Sequence, residues 1–287
     1  MNHSETAAIV LAAGLGTRMK SELPKVLHAI AGRAMILQLL DSLSTIKPEK
    51  IVLVLGPEMD AVSEAVSEAG FTVETVIQQD RLGTGHAVRQ AESVLAGYTG
   101  NILVLYGDSP LITAETMADM LDARTGEDDP AVVVLSFRPF EPCDYGRLNL
   151  DEAGGLVSIV EAKDASDDEL ANDLCNSGFM AIDGALLSDL TAKLSNDNAK
   201  GEYYLTDLVG LATEAGRNCA FVECDEEETI GINSRSELAE AETILQDRLR
   251  EAAMANGATL INPASVYFSH DTKIGQDVMI DSNVYFG

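Results

Sequence analysis

The sequence predicts an α/β fold of Rossmann-like type, with a mixed, mainly parallel sheet. Three observations carry that prediction. Apolar runs recur at Ala7 to Ala13, Ile51 to Leu55, Ile102 to Leu105 and Ala131 to Leu135, each of strand length and rich in branched side chains. Segments with apolar residues at helical spacing lie between several of them, as at 34–44 and 60–69; that alternation implies right-handed βαβ units. Turns bearing glycine and polar side chains follow the strands, where open α/β sheets bind their ligands.

Composition limits the function classes. The chain has 287 residues, 46% of them hydrophobic, enough for one large α/β domain plus a small appendage. There are 47 acidic residues against 19 basic ones, a net charge of −28. That balance disfavours nucleic acid and anionic membranes as partners. Any binding of a polyanion must then rely on cations gathered locally. The four cysteines, Cys143, Cys175, Cys219 and Cys224, form no Cys-x-x-Cys pair and no zinc pattern with histidine. No apolar run reaches membrane-spanning length and no signal peptide precedes the first strand, so a cytoplasmic setting is expected.

The first strand leads into Leu11-Ala12-Ala13-Gly14-Leu15-Gly16-Thr17-Arg18-Met19-Lys20, with Pro24-Lys25 beyond. Glycines let the backbone turn sharply and approach a ligand, and consecutive N–H groups in such a turn can cup an anion. Arg18, Lys20 and Lys25 add three cations. The spacing matches neither a Walker A loop nor a dinucleotide fingerprint. A phosphate-handling loop and an ordinary strand-to-helix turn both remain open on these residues alone.

A helix over 34–44, the strand 51–55, a helix over 60–69 and a strand over 71–77 follow. Gln78-Gln79-Asp80-Arg81-Leu82-Gly83-Thr84-Gly85-His86 then opens a helix expected to run to about Leu95. Gln78 offers an amide donor and a carbonyl acceptor, which suit the imide edge of a pyrimidine; Gly83 and Gly85 also fit plain turn chemistry. The strand 102–105 ends in Tyr106-Gly107-Asp108-Ser109-Pro110. A carboxylate at a buried strand tip presents a magnesium ligand or caps the next turn. Residues 145–148 and 156–161 read as a hairpin around 151–155, and 162–173 as an acidic loop or short helix. A further strand starts at Cys175. Gly146, Glu161 and Asn176 singly suit turns or surface. Gly201-Glu202-Tyr203-Tyr204-Leu205-Thr206-Asp207 precedes an apolar helix over 208–215, with Thr206 a candidate cap. Gly231-Ile232-Asn233-Ser234-Arg235 precedes a long helix over 236–255, capped by Ser236 and ended by Gly257. In the tail, 258–287, Ile274-Gly275, Val278, Ile280 and Val284 look like the start of a hexapeptide-repeat left-handed β-helix.

The opening Leu-Ala-Ala-Gly-x-Gly-Thr-Arg-Met with Leu23-Pro24-Lys25-Val26-Leu27 resembles the sugar-1-phosphate nucleotidyltransferases. The later blocks, Glu-Tyr-Tyr-x-Thr-Asp among them, narrow the resemblance to the bacterial N-acetylglucosamine-1-phosphate uridyltransferases, the pyrophosphorylase half of a bifunctional enzyme. One departure is Ser234 where that family has a second Asn. The resemblance covers nearly the whole chain. It implies the nucleotide-diphospho-sugar transferase fold, with a pyrophosphorylase domain at 1–230, a linker with the long helix at 231–256, and the first β-helix coils at 257–287. It implies Mg²⁺-dependent uridylyl transfer from UTP to N-acetyl-α-D-glucosamine 1-phosphate, giving UDP-N-acetylglucosamine for the cell envelope, and pyrophosphate. Carried over residue by residue, the backbone of Leu11, Ala12, Ala13 and Gly14 meets base and ribose; Gln78, Gly83 and Thr84 read the uracil. Asp108 and Asn233 hold Mg²⁺, with Tyr106 and Gly107 beside them. Gly146, Glu161, Asn176, Tyr204 and Thr206 hold the sugar phosphate, and Arg18 and Lys25 are catalytic. An acetyltransferase half is expected beyond residue 287, with a homotrimer where the full β-helix is present. Two rival readings share the fold: another sugar-1-phosphate nucleotidyltransferase, and a non-catalytic nucleotide-sugar-binding module, which would have no physical reason to keep Arg18, Lys25, Asp108 and Asn233 together.

Overall fold

The structure, a computed structural model, describes residues 5–142 and 144–287; Cys143 lies outside them. The strands and helices run β1 (Thr6–Leu11), β2 (Ala29–Ile30), β3 (Arg33–Ala34), α1 (Met35–Ile46), β4 (Lys50–Leu55), α2 (Asp60–Glu68), β5 (Glu74–Ile77), α3 (Thr84–Gln90) and β6 (Asn101–Tyr106). Then come α4 (Ala114–Arg124), β7 (Val132–Phe137), β8 (Arg147–Leu150), β9 (Leu156–Val160), α5 (Asp167–Leu170), β10 (Cys175–Asp183), α6 (Gly184–Thr191), α7 (Asp207–Glu214), β11 (Cys219–Glu223), α8 (Arg235–Ala255), β12 (Thr259–Leu260) and β13 (Met279–Ile280).

The main sheet has the order β11-β7-β10-β6-β1-β4-β5, with β8 and β9 attached beside β10. Strands β1, β4, β5 and β6 are mutually parallel, as are β7 and β11. Strand β10 is antiparallel to both β6 and β7. The sheet is therefore mixed and mainly parallel along this path. Every residue of β1 is buried, because helices cover both sheet faces. Ala7, Ile9 and Leu11 pack with Val88, Leu190 and Leu208 on one face; Ala8 and Val10 pack with Leu39, Val62 and Met117 on the other. The period of two along the strand assigns these residues to opposite layers.

Three expectations shift. Helix α3 stops at Gln90. Ala91 and Leu95 remain buried, but the hydrogen bonds tighten to the third residue back, as in Val94 N–H to Ala91 O at 3.1 Å; apolar spacing had reported burial, not bond type. Strand β5 begins at Glu74 because Phe71 and Val73 pack beneath the sheet instead. The cap of α8 is Ser234, whose hydroxyl accepts from Glu237 N–H at 3.3 Å, not Ser236.

In the tail, β12 and β13 pair in parallel, and Tyr267 bridges Tyr285 in the same sense. Leu260, Val266, Phe268 and Ile280 form a small core against Leu249 and Ala253 of α8. Val278 is exposed and outside that core. Gln246 of α8 ties the tail down, accepting from Phe268 N–H at 2.8 Å and donating to its carbonyl at 2.6 Å. Among the described residues, no helix is long and apolar enough to cross a membrane.

Candidate active site

Strands β1, β5 and β6 deliver their carboxyl ends to one pocket. Its lining includes Leu11, Ala12, Ala13 and Gly14 after β1, Gln78 and Arg81 after β5, and Gly83 and Thr84 at the start of α3. Tyr106 and Asp108 after β6 line it too, with Lys25 beside them. Distant sequence blocks thus converge where a parallel sheet places its ligands.

The loop after β1 offers fewer donors than its sequence suggests. Ala12 N–H is spent on Val54 O at 2.8 Å, extending the ladder by one residue. Ala13 and Gly14 N–H groups have no partner among the described residues. Gly16 has φ +61°, and a Cβ there would lie 2.6 Å from Lys25 Cβ. A side chain at 16 would push Lys25 out of the pocket.

Lys25 is buried, and its ammonium donates to Asp108 Oδ2 and, at 2.9 Å, to Asn233 Oδ1. The two oxygens expected to hold a metal thus converge on one cationic point. Backbone bonds fix both: Ile232 N–H reaches Asp108 O at 2.9 Å, and Asn233 Nδ2 is tied to Gly231 O at 2.9 Å, which leaves Oδ1 to face inward. Asn233 N–H is held by Glu237 Oε2 at 2.7 Å.

Gln78 is buried, and its amide nitrogen is engaged by Gly83 O and His86 Nδ1, both at 3.1 Å. Its amide oxygen is the atom left to face a ligand. His86 also meets Gln90, so it orients Gln78. At Gly83, φ is +106°, and a Cβ would sit 2.6 Å from Tyr203 O. Thr84 accepts from Leu205 N–H at 3.1 Å. These contacts dock the Gln78 loop onto the 201–207 segment.

A second cluster adjoins the first through Tyr106. Burial pushes the Tyr106 phenol up, with the Asp108 and Glu161 charges adding to it. Glu161 Oε1 accepts from the Thr206 hydroxyl at 3.1 Å. Thr206 occupies the cap position of α7, but its hydroxyl makes no capping bond; it serves Glu161 instead. Asn176 N–H donates to Gly146 O at 2.9 Å, and its Oδ1 accepts from Gly178 N–H at 3.0 Å. That leaves its Nδ2 as a donor with no partner among the described residues. Burial, then the charges of Asp164 and Glu161, raise the Tyr204 phenol pKa. Gly107 N–H is bonded to Leu11 O at 2.9 Å, stitching the two strand ends together.

Arg18 stands apart. It lies on the short Thr17–Met19 turn, exposed, with no partner among the described residues and outside the pocket lining. Arg81 is the residue that sequence reasoning missed. Its Nε donates to Ala13 O at 2.6 Å, and its guanidinium rests against Gly56. The only sequence signal was one basic residue in an acidic chain, beside Gln78.

Comparisons with known proteins identify the family and the fold. A profile of the MobA-like NTP transferase domain matches residues 8–164. The chain is 57% identical over 287 residues to the bifunctional protein GlmU of Paramagnetospirillum magneticum, covering all of this chain and 63% of that protein. It is 55% identical over 275 residues to GlmU of Rhodospirillum rubrum, covering 96% of this chain and 60% of that one. The chain thus spans less than two thirds of the length of these relatives. Among solved structures, the inositol-1-phosphate CTP transferase from T. maritima matches with a TM-score of 0.64 at 17% identity. That match covers 82% of this chain and 93% of the other, and is a likeness of fold.

Proposed function

Because the chain belongs to the MobA-like NTP transferase domain family and aligns along its length with bifunctional GlmU proteins, we propose that it transfers a uridylyl group from UTP to N-acetyl-α-D-glucosamine 1-phosphate, releasing pyrophosphate. The observation that carries this reading is the convergence of Asp108 Oδ2 and Asn233 Oδ1 on the buried Lys25 ammonium beside the pocket. Two hard oxygen donors aimed at one cationic point fit Mg²⁺, which keeps its remaining positions for water and phosphate oxygens. When bound, Mg²⁺ would supply charge neutralisation for the phosphates of both substrates.

The remaining chemistry falls to the chain itself. The attacking oxygen of the sugar phosphate is already ionised at neutral pH, so no protein nucleophile is needed. That oxygen bonds to the α-phosphorus of UTP, the α–β phosphoanhydride bond breaks, and its electron pair leaves with pyrophosphate. Catalysis is then positioning and electrostatics. The N–H groups of Ala13 and Gly14 hold the nucleotide, and the Gln78 amide oxygen accepts from the uracil imide. Glu161, Asn176 Nδ2 and the Thr206 region bind the sugar phosphate directionally, with Gly146 keeping that wall open. Lys25 holds the attacking phosphate, and Arg18 meets the charge developing toward pyrophosphate. The tail belongs to the same reading as the first coils of a left-handed β-helix, and a cytoplasmic setting supplies the UTP.

The test is pyrophosphate release from UTP plus N-acetylglucosamine 1-phosphate, with and without Mg²⁺. Metal-dependent release that fails with glucose 1-phosphate is expected. Release with every sugar phosphate offered would replace the sugar assignment with a broader pyrophosphorylase. Binding of UDP-N-acetylglucosamine without any release would replace catalysis with a binding module.

A further inference from the structure

The turn that bears Arg18 makes few contacts of its own, yet it must hold a guanidinium steady. Met19 N–H bonds Gly16 O at 2.9 Å and Lys20 N–H bonds Thr17 O at 3.2 Å. Both Gly16 and Lys20 are in left-handed backbone conformations. Three-residue turns of this kind have little stability alone. Something from outside the segment must fix it.

Arg235 is in position to do so. It is the first residue of α8, two beyond Asn233. Its Nε donates to Met19 O at 3.3 Å, and its Nη1 lies 3.2 Å from His28 Nδ1. Met19 and His28 are both buried. His28 in turn closes the short turn that carries Lys25, donating its N–H to Lys25 O at 3.2 Å. One guanidinium therefore touches the Arg18 turn and the Lys25 turn while anchored to the segment that presents Asn233. These three segments come from positions 17–19, 25–28 and 233–235, and Arg235 makes no ion pair with any described carboxylate. An arginine fork is suited to such bridging because its donors are held at fixed angles.

We propose that Arg235 is a positioning residue for the transfer reaction, locking the Arg18 turn in register with Lys25 and Asn233. The kinetic half of the proposal rests on the uridylyl-transfer reading above. Arg235 acts through Arg18, so its loss lowers turnover more than nucleotide binding. A displacement of about 1 Å in a reacting group can cost on the order of 10²-fold.

A double-mutant cycle tests it. Arg235→Ala is expected to lower kcat by about 10- to 100-fold, with KM for UTP within about threefold of the parent. In an Arg18→Ala background the same change should lower kcat by less than about twofold, because the group it positions is gone. Arg235→Lys, which keeps the charge but not the fork, should recover part of the loss. Additive losses in the double variant would overturn the proposal. Amide hydrogen exchange reads the same contact without reference to any reaction. In Arg235→Ala, exchange at residues 16–28 should rise about tenfold or more while β1, β4 and β6 stay protected. Unchanged exchange at 16–28, or a uniform rise through the sheet, would overturn it. A parent protein with no turnover would remove the functional reading and leave exchange to decide the role of Arg235.

Discussion

Lys25 is charged and buried, a combination that is costly unless every donor finds an acceptor. Asp108 and Asn233 supply two such acceptors, and Gly16 makes the room. Arg18 is the opposite case, an exposed guanidinium with no partner among the described residues. Its charge is free for a ligand, and Arg18→Ala is expected to lower turnover by ~10²-fold or more, on the scale of a lost transition-state donor. Steady-state pyrophosphate release checks this; unchanged turnover would remove the catalytic role. His28 predicts a pH dependence of stability. Burial first, then the Arg235 charge, lower its pKa from the ordinary 6.5. The folded state thus binds the proton less tightly than the unfolded chain. The stability from neutral His28 is fully present above about pH 6.5 and is lost as pH falls through the lowered folded value. His28→Asn, whose side-chain oxygen can still accept from Arg235, should flatten that acid limb in urea unfolding followed from about pH 7 to pH 5. A slope identical to the parent's would place the acid sensitivity elsewhere.

Among the elements, α8 does two jobs at its first turn. Ser234 caps it, and Glu237 reaches back to Asn233 N–H. The reciprocal bonds resemble a capping box shifted by one residue at its return arm, and they orient a residue of the site. Ser234→Ala should cost about 1 kcal/mol in urea unfolding, as cap losses do; a loss within error would mean that the Glu237 contact suffices. This serine stands where the resembling family has a second Asn, and either side chain can cap a helix. Its neighbour Ser236 was the sequence-based choice of cap, and one position decides which hydroxyl reaches an N–H. Thr206 shows the reverse. A threonine before an apolar helix reads as a cap, but Glu161, 45 residues away in sequence, takes its hydroxyl. Local pattern located both helices; only packing decided which side-chain oxygen capped and which joined the site.

Across the whole molecule the charge is far from balanced. With −28 spread over 287 residues, self-repulsion opposes the folded state and also repels triphosphate. Lys25 and Arg81 line the pocket, which offsets the repulsion where the ligand enters. Added salt screens both effects, since the Debye length falls from about 10 Å at 0.1 M to about 3 Å at 1 M. The thermal midpoint should therefore rise between about 0.05 M and 0.5 M NaCl, while KM for UTP should also rise as the local cations are screened. Differential scanning fluorimetry beside kinetics at the same salt concentrations checks both. A midpoint that falls with salt would show that specific ion pairs, such as Arg124 with Asp129 and Asp183, outweigh the general repulsion.

Strands β1, β4, β6 and β7, the β8–β9 hairpin, helices α1, α2, α7 and α8, and the blocks around Lys25, Gln78, Asp108 and Asn233 were legible in the sequence by itself. Apolar periodicity and glycine turns are local properties, and a parallel sheet sends its strand ends to one side. Strand β10 running against its neighbours was not legible, because strand direction depends on which partner a segment finds. Nor was Arg81, whose role rests on a carbonyl 68 residues away, or the loss of Ala12 N–H to β4. The tertiary structure alone decided that one lysine ammonium would join Asp108 to Asn233, and that Arg235 would reach both turns. Those contacts span up to 216 residues, a separation over which no residue spacing carries information and only the folded core brings the atoms together.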